Sequence, residues 1–342
     1  MELPVDLLEK LPKTDLHVHL DGCLRVPTLI DLAKQQNVEL PSTDPEELAK
    51  IVMSGKNCKN LGEYLRGFDI TLSVMQEPEA LHRVAYELAE DAAKENVWYM
   101  EIRYSPILHM QKGLKLPTIV DAVIEGLAAA EKKFNIKTGI IICGMRNINP
   151  EKSLELAELA VAYKNRGVVA FDLAGQEENN PAKHHKEAFY LIRNNNINTT
   201  IHAGEAYGAE SIHQAIHYCG AHRIGHGTRL YEDGDLLNYV NDHRIPLEIC
   251  LLSNIQTNAA PSLDKHPLKF YYDYGLRLCL NTDNRMISDT TVTNEYYLAA
   301  KHLNLTLDEM KTLVIDGFKS AFLPNRAKSI MLKLVTEELN KF

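Results

Sequence analysis

The stretch KTDLHVHLDG, residues 13–22, places two histidines two positions apart inside an apolar run. Successive residues of a β-strand point to opposite faces, so His17 and His19 share one face if this stretch is a strand. Two imidazoles on one face could supply half of the ligands of a metal site. The alternative is a pair of buried histidines that hydrogen-bond to backbone groups, so the rest of the chain has to supply the other ligands.

Residues suited to metal binding, proton transfer or close contact with a ligand recur where later apolar runs end. They are Asp21 after the first run, Gly175 after the fourth, His202 and Glu205 after the fifth, His226 after the sixth, and Asp283 and Asn284 after the eighth. Each of them alone is more often a core or turn residue. Three histidines and an aspartate that meet at one place, however, form a donor set that suits zinc above other metals.

Eight short runs rich in β-branched and aromatic residues provide the elements that would position these side chains. The runs are 13–20, 97–105, 137–145, 167–175, 198–205, 222–230, 246–254 and 276–283. Their nearly continuous apolar character predicts parallel strands that are covered on both faces, and helix-like segments lie between most of them. We therefore predict an α/β fold, the (β/α)8 TIM barrel, whose active site forms at the carboxyl ends of the strands. A doubly wound open sheet is the alternative, but its usual Gly-rich first turn is missing.

The chain shows no linker, so we predict a single barrel domain over residues 1–342. Its longest interval between strands is residues 24–96, where PSTDPEELAKIV and NLGEYLRGFDITLSVM predict extra helices. A long insertion after the first strand is expected to cover the barrel mouth. Within it, one helical face carries Leu61, Tyr64, Leu65 and Phe68. This face is either an apolar roof over a ligand or a set of core contacts.

Composition narrows the class of function. Hydrophobic residues make up 45% of the chain and charged residues 24%, as in soluble globular proteins. The net charge of −9 argues against nucleic-acid binding, which relies on clustered lysine and arginine. Six scattered cysteines indicate no disulfide framework and suit a reducing compartment. The charged start and the lack of an apolar run near 18 residues predict a cytoplasmic protein without a membrane partner. The sequence leaves the oligomeric state open.

HVHLDG, DLAGQE, HAGE, RIGHGT, SNIQT and NTD, in this order, resemble the adenosine deaminase family of zinc-dependent aminohydrolases. The resemblance extends from about residue 10 to about residue 330. It implies one Zn²⁺ per chain, with the ligands His17, His19, His202 and Asp283. It further implies catalytic roles for Glu205 as the acid beside purine N1, for His226 as a base or electrostatic group, and for Asp283 beside the attacking water. Gly175 would donate its backbone N–H to purine N3, and Asp21 would bind the sugar 5′-hydroxyl.

The expected activity is hydrolytic deamination of adenosine and 2′-deoxyadenosine, a step of purine salvage. Family members have two consecutive acids after N-T, whereas this chain has NTDNR, so Asn284 would offer an amide donor to purine N7 at any pH. Adenine-deaminating relatives carry glutamate at the position of Asp21, so the resemblance implies that the shorter aspartate leaves room for a ribose and favours a nucleoside over a free base. Methylthioadenosine or adenine remains an alternative substrate, and a binding protein without catalysis is a further alternative. No P-C-x-x-C occurs, which excludes the cytidine-type site, and FDLAGQE lacks the lysine that a two-metal site often uses.

Overall fold

Eight parallel strands form one sheet in the order of the chain. The computed structural model describes residues 3–53, 55, 58, 64, 65 and 67–342. Its strands are β1 Lys13–His19, β2 Val97–Tyr104, β3 Lys137–Met145, β4 Val168–Ala174, β5 Asn198–Ala203, β6 Arg223–His226, β7 Leu247–Ile249 and β8 Leu278–Leu280. Each strand pairs in parallel with the next one.

The first strand meets the chain that leaves the last strand, and this contact closes the barrel. Val18 forms a parallel bridge with Asp283. The backbone N–H of His19 donates to the Asp283 carbonyl at 2.7 Å, and the N–H of Asp283 donates to the His17 carbonyl at 2.8 Å. The predicted (β/α)8 barrel is confirmed, and its closure lies among the residues that the sequence singled out for chemistry.

Helices connect the strands and surround the sheet. Among the described residues, the α-helices are α1 Val5–Lys10, α2 Val26–Gln36, α3 Pro45–Val52, α4 Phe68–Val74, α5 Pro78–Lys94, α6 Leu116–Glu131, α7 Pro150–Ala162, α8 Lys186–Asn194, α9 Ala209–His217, α10 Gly234–Asp242, α11 Leu251–Gln256, α12 Leu268–Tyr274, α13 Val292–Leu303, α14 Leu307–Ser320 and α15 Asn325–Leu339. The local sequence explains where several of these helices begin, since Asp44, Asn149 and Thr306 each cap the first turn of a helix with a side-chain oxygen. None of the described helices is long and apolar enough to span a membrane.

Helices α2 to α5 occupy the interval between β1 and β2, as predicted for residues 24–96. Helix α3 begins after Asp44, whose side chain accepts from the backbone N–H of Glu47. Tyr64 and Leu65 are helical, and α4 begins at Phe68 directly after Gly67. Leu61 lies outside the described residues. The extra helices are confirmed, whereas their role as a cover for the barrel mouth and the single-domain assignment stay predictions.

Several predicted strands end earlier than the sequence suggested, and the sixth and seventh differ most. The run 222–230 is a strand only as far as His226, and the run 246–254 only as far as Ile249. The residues LLSNIQ instead form α11. A segment this short does not reveal by its periodicity whether it is a buried strand or a buried helix, and the strand prediction for this part of the run was wrong. The correction matters because α11 carries residues of the site.

Candidate metal centre and active site

The carboxyl ends of the strands open into one cavity. It is lined by these predicted site residues: His19, Asp21, Tyr64, Leu65, Phe68, Gly175, His202, Glu205, His226, Asp283 and Asn284. His17 lies directly beneath and is fully buried. The barrel therefore brings together every predicted site residue that the structure describes.

Four side chains direct their ligand atoms to one position at the base of the cavity. Nε2 of His19 lies 3.0 Å from Nε2 of His202 and 3.4 Å from Oδ1 of Asp283. Nε2 of His17 lies 3.5 Å from the same carboxylate oxygen. A metal ion with bonds of about 2 Å holds neighbouring ligand atoms about 3 to 3.5 Å apart. The spacing of these side chains fits one metal ion between them.

A fifth side chain also reaches this position. His17, His202, His226 and Asp283 each offer one ligand atom, and these atoms all lie within 4.8 Å of one another. Distances alone therefore leave His19 and His226 as alternative partners for the other three residues.

His17 has the hydrogen bonding of a metal ligand. Its Nδ1 lies 2.9 Å from Oε2 of Glu248, while its buried Nε2 has no hydrogen-bond partner among the described residues. Burial, with a smaller effect of Arg103, lowers the pKa of His17 to about 4, so the ring is neutral at neutral pH. A neutral imidazole that donates Nδ1–H to a carboxylate leaves a lone pair on Nε2. This unpaired nitrogen fits a bound metal ion.

A buried ionic network supports the histidines from below. Asp172 accepts from Nδ1 of His202 at 3.0 Å, much as Glu248 accepts from His17. Arg103 lies between the two acids and donates to Asp172 at 3.0 Å and to Glu248 at 2.8 Å. Because charged groups buried without partners are costly, each member of this network needs the others. The network fixes the ring orientations of two ligand candidates.

Glu205 faces the cavity from the turn after β5. Its Oε2 lies 3.6 Å from Nε2 of His226, and its Oε1 has no hydrogen-bond partner among the described residues. Burial raises the pKa of Glu205, and the nearby His226 offsets only part of this effect. The carboxylate of Glu177 holds the turn in place by accepting from the backbone N–H groups of Gly204 and Glu205. Glu205 is thus a fixed, buried acid with one oxygen free for a ligand.

His226 and Asp283 both have left-handed backbone conformations, with φ of 63° and 60°. Residues other than glycine rarely adopt this region, and when they do the surrounding structure must hold them there. The Asp283 carbonyl and N–H are held by β1, and its Oδ2 accepts from Ser253 at 2.6 Å. The strained backbone at both positions turns a side chain into the cavity at the end of a strand.

Gly175 provides room beside the cavity wall. Its φ is +93°, and a Cβ at this position would lie 3.0 Å from Oδ1 of Asn147 and 3.2 Å from Cε of Met145. Both the backbone conformation and the space therefore favour glycine. The backbone is consequently accessible to a ligand here.

Asp21 and Asn284 flank the cavity with different hydrogen bonding. Burial raises the pKa of Asp21 to about 7, and its Oδ1 has no partner among the described residues. Nδ2 of Asn284 donates to the Tyr64 hydroxyl at 2.8 Å, whereas its Oδ1 packs against Gly22. One of the two amide hydrogens is thus already engaged, and a single N–H of Asn284 is left for a ligand.

Known proteins of one family match nearly the whole chain. The family model for adenosine deaminase matches residues 12–338. The chain belongs to the adenosine deaminase family. A probable adenosine deaminase of Dictyostelium discoideum is 45% identical over 322 residues, which cover 94% of this chain and 42% of that longer protein. An adenosine deaminase of Mycobacterium avium is 42% identical over 347 residues, which cover 95% of this chain and 94% of the relative.

Solved structures of related deaminases share the fold. The adenine deaminase of Arthrobacter aurescens has a TM-score of 0.90 at 27% identity and covers 96% of this chain and 99% of its own. The Arabidopsis ADAL complexed with IMP has a TM-score of 0.88 at 27% identity and covers 98% of this chain and 99% of its own. As a member of the adenosine deaminase family, this chain is a hydrolytic deaminase.

Sequence reasoning missed the residues beneath this deaminase's histidines. Arg103, Asp172 and Glu248 were not singled out, although each is a charged residue inside an apolar run. A buried charge requires a partner, so these positions carried a usable signal. Ser253 and Asn254 belong to the motif SNIQT but were given no role at the site, since residues 246–254 were predicted to be a strand throughout.

Proposed function

We propose that the chain catalyses the zinc-dependent hydrolytic deamination of adenosine and 2′-deoxyadenosine to inosine and 2′-deoxyinosine, with release of ammonia. The observation that carries the proposal is the position of Glu205. This buried acid shares one cavity with the metal-ligand cluster, so a proton donor and an activated water can reach neighbouring atoms of one flat ring. We assign the reaction to purine salvage and the protein to the cytoplasm.

In this proposal His17, His19, His202 and Asp283 hold one Zn²⁺ per chain. When bound, zinc lowers the pKa of water toward 7 and so supplies a nucleophile at neutral pH. Histidine and aspartate are donors of the type that zinc prefers, and Glu248 and Asp172 hold two of the rings in position.

Glu205 supplies the proton that the ring requires. Addition of an oxygen nucleophile at C6 of adenine moves negative charge onto N1. Glu205 is buried, which raises its pKa and keeps the carboxyl protonated to higher pH. Its free Oε1 can donate this proton to N1 as the charge develops.

The other cavity residues orient the water and the ring. Asp283 accepts a hydrogen bond from the attacking water, while Ser253 fixes its second oxygen at 2.6 Å. His226 stabilises the charge that develops beside it. The N–H of Gly175 binds N3, and the remaining N–H of Asn284 binds N7. The helical insertion closes the mouth with the apolar side chains of Leu65 and Phe68.

The charge of the cavity favours a nucleoside over a nucleotide. Its lining includes four acids, Asp21, Asp69, Glu205 and Asp283, and no lysine or arginine among the described lining residues. A 5′-phosphate in this environment would lack a cationic side chain as a partner. Asp21, whose pKa burial raises, can instead hydrogen-bond to a sugar 5′-hydroxyl. The ADAL complexed with IMP shows that the same fold can accept a nucleotide, so the discrimination must come from side chains.

A substrate panel tests the proposal. Purified zinc-loaded protein is mixed with adenosine, 2′-deoxyadenosine, 5′-methylthioadenosine, adenine or AMP, and deamination is followed by ultraviolet absorbance. We expect the highest kcat/KM for adenosine and 2′-deoxyadenosine, and values for AMP and adenine at least about 100-fold lower, because binding contributes to discrimination in this range. A preference for AMP or adenine, or no deamination at all, would refute the proposed substrate class.

A further inference from the structure

Three buried side chains form a continuous chain of hydrogen bonds that ends at the catalytic cavity. They are His266 before α12, Asn254 on α11 and His226 at the end of β6, and all are at most 4% exposed. Nε2 of His266 lies 3.1 Å from Oδ1 of Asn254, and Nδ2 of Asn254 lies 3.0 Å from Nδ1 of His226. The roles given above to the metal-ligand cluster and to Glu205 do not require His266 and Asn254 to be hydrogen-bonded in this way.

The direction of the chain is set by a backbone group. The N–H of Leu268 lies 3.1 Å from Nδ1 of His266, and a backbone N–H can only donate. Nδ1 of His266 must therefore accept. Burial lowers the pKa of His266 to about 3, so this ring is neutral and carries its one proton on Nε2. That N–H donates to Oδ1 of Asn254.

The hydrogen bond from His266 also fixes the orientation of the Asn254 amide. Because Oδ1 of Asn254 accepts from His266, its NH₂ group faces Nδ1 of His226. Rotation of the amide by 180° would place NH₂ against the Nε2–H of His266, two donors facing each other in a buried site. Asn254 therefore donates to Nδ1 of His226, and this nitrogen must present a lone pair.

We infer that the hydrogen-bond chain from the Leu268 N–H through His266 and Asn254 fixes His226 as an Nε2–H donor facing the reacting atoms. Asn254 and His266 are positioning residues for this histidine. The Nε2–H of His226 points into the cavity, where Oε2 of Glu205 is 3.6 Å away. The meaning of this donor for catalysis rests on the proposed function, but the protonation of the ring does not.

Two open questions about the site are answered by this assignment. A metal ligand needs a lone pair, so His226 does not bind the metal through Nε2, and His19 completes the set with His17, His202 and Asp283. A base needs a lone pair as well. Of the two roles open to His226, base or electrostatic group, it therefore has the second and donates a hydrogen bond to the oxygen that attacks the ring.

The test is ¹⁵N NMR of the zinc-loaded, ligand-free full chain with labelled histidine, in which His226→Gln identifies the signals of His226. In the unsubstituted protein we expect the proton on Nε2 and a lone-pair signal for Nδ1. Asn254→Asp replaces the amide by a carboxylate, which only accepts, so the proton moves to Nδ1. Asn325→Asp, the same substitution at an exposed position, provides the matched control and leaves the signals unchanged.

Two further variants keep the test decisive if Asn254→Asp does not fold. His266→Gln retains the wild-type tautomer of His226, because its amide can accept from Leu268 and donate to Asn254. His266→Phe removes the donor and allows the amide to rotate, so both tautomers of His226 appear. A proton on Nδ1 in the unsubstituted protein, or an unchanged tautomer in either Asn254→Asp or His266→Phe, would overturn the inference.

Kinetics provides a second readout. Asn254→Asp should lower kcat for adenosine by about 100-fold, typical of the loss of one preorganised donor, while KM stays unchanged. A loss confined to KM would contradict the assigned role. A protein with the expected tautomer that deaminates no purine would refute the proposed function and leave the tautomer assignment in place, so the two failures are distinguishable.

Discussion

At the scale of single residues, the pKa values of two buried acids in one cavity are shifted in opposite directions. Burial raises the pKa of Glu205. Burial acts in the same direction on Asp283, but His17, His226 and His19 more than offset it and hold the pKa of Asp283 well below its usual range. Environments that separate the pKa values of two neighbouring acids allow one to donate a proton while the other binds as an anion. This separation of pKa values suits the proposed roles, with Glu205 as the acid and Asp283 as the metal ligand.

Glu205→Gln tests the role of the acid. The amide can still hydrogen-bond to the purine but cannot transfer a proton to N1, so kcat should fall by about 10² to 10⁴-fold. Zinc content and thermal stability should remain unchanged, as measured by metal analysis and calorimetry. Glu210→Gln is an exposed control that should retain full activity. Near-normal turnover of Glu205→Gln would place the acid elsewhere.

Asn284 is tested with a substrate that lacks one acceptor. If the remaining N–H of Asn284 binds N7, 7-deazaadenosine should have a kcat/KM about 10- to 100-fold below that of adenosine, the range expected when one buried hydrogen bond is lost. Asn284→Ala should remove this difference by lowering only the value for adenosine. Asn147→Ala, which alters another asparagine of the same cavity, should keep it. Equal rates for the two substrates in the unsubstituted protein would show that Asn284 does not bind N7.

At the scale of secondary-structure elements, Glu295 joins three segments behind the site. It lies on α13 and accepts from Thr290 at 2.8 Å and from the N–H of Leu252 on α11 at 3.4 Å. Burial raises its pKa from 4.5 to about 8. Since α11 carries Ser253 and Asn254, the protonation of Glu295 bears on the stability of the elements that support the catalytic residues.

Glu295→Gln tests this linkage. Because the folded state binds a proton that the unfolded state releases, the stabilisation is complete below about pH 4.5 and is lost as pH rises toward about 8. In the unsubstituted protein, the free energy of unfolding measured with urea should decline from pH 6 to pH 8. Glu295→Gln should make this decline less steep, by up to about 1.4 kcal/mol per pH unit. Glu337→Gln, at an exposed position, should follow the unsubstituted protein. Parallel pH profiles for Glu295→Gln and the parent would show that Glu295 is ionised in the fold.

At the scale of the whole molecule, the sequence predicted the barrel and most of the site, because strand ends in a (β/α)8 barrel must meet at one mouth. It did not predict α11, since a segment as short as LLSNIQ is ambiguous between strand and helix. Nor did it predict the contact between His17 and Glu248, which are separated by 231 residues. Spacing along a chain indicates which element holds a residue, whereas hydrogen-bond partners depend on the register between distant strands.

The candidate ligands and the strand ends of the barrel also bear on the number of metal ions at the site. The described residues contain one group of candidate ligands, and the end of β4 carries Gly175 and no lysine that could bridge two ions. Both observations favour the proposed single ion at this mouth. The barrel predicts a mononuclear enzyme.

The most direct test is to titrate zinc into metal-free protein while adenosine deamination is measured on the same samples. Activity should be absent without metal, rise in proportion to added zinc and reach its plateau at one equivalent per chain, with His19→Ala failing to retain zinc. A plateau at two equivalents would contradict the single-ion site. Full activity in protein shown to be free of metal would contradict the zinc-dependent reaction itself.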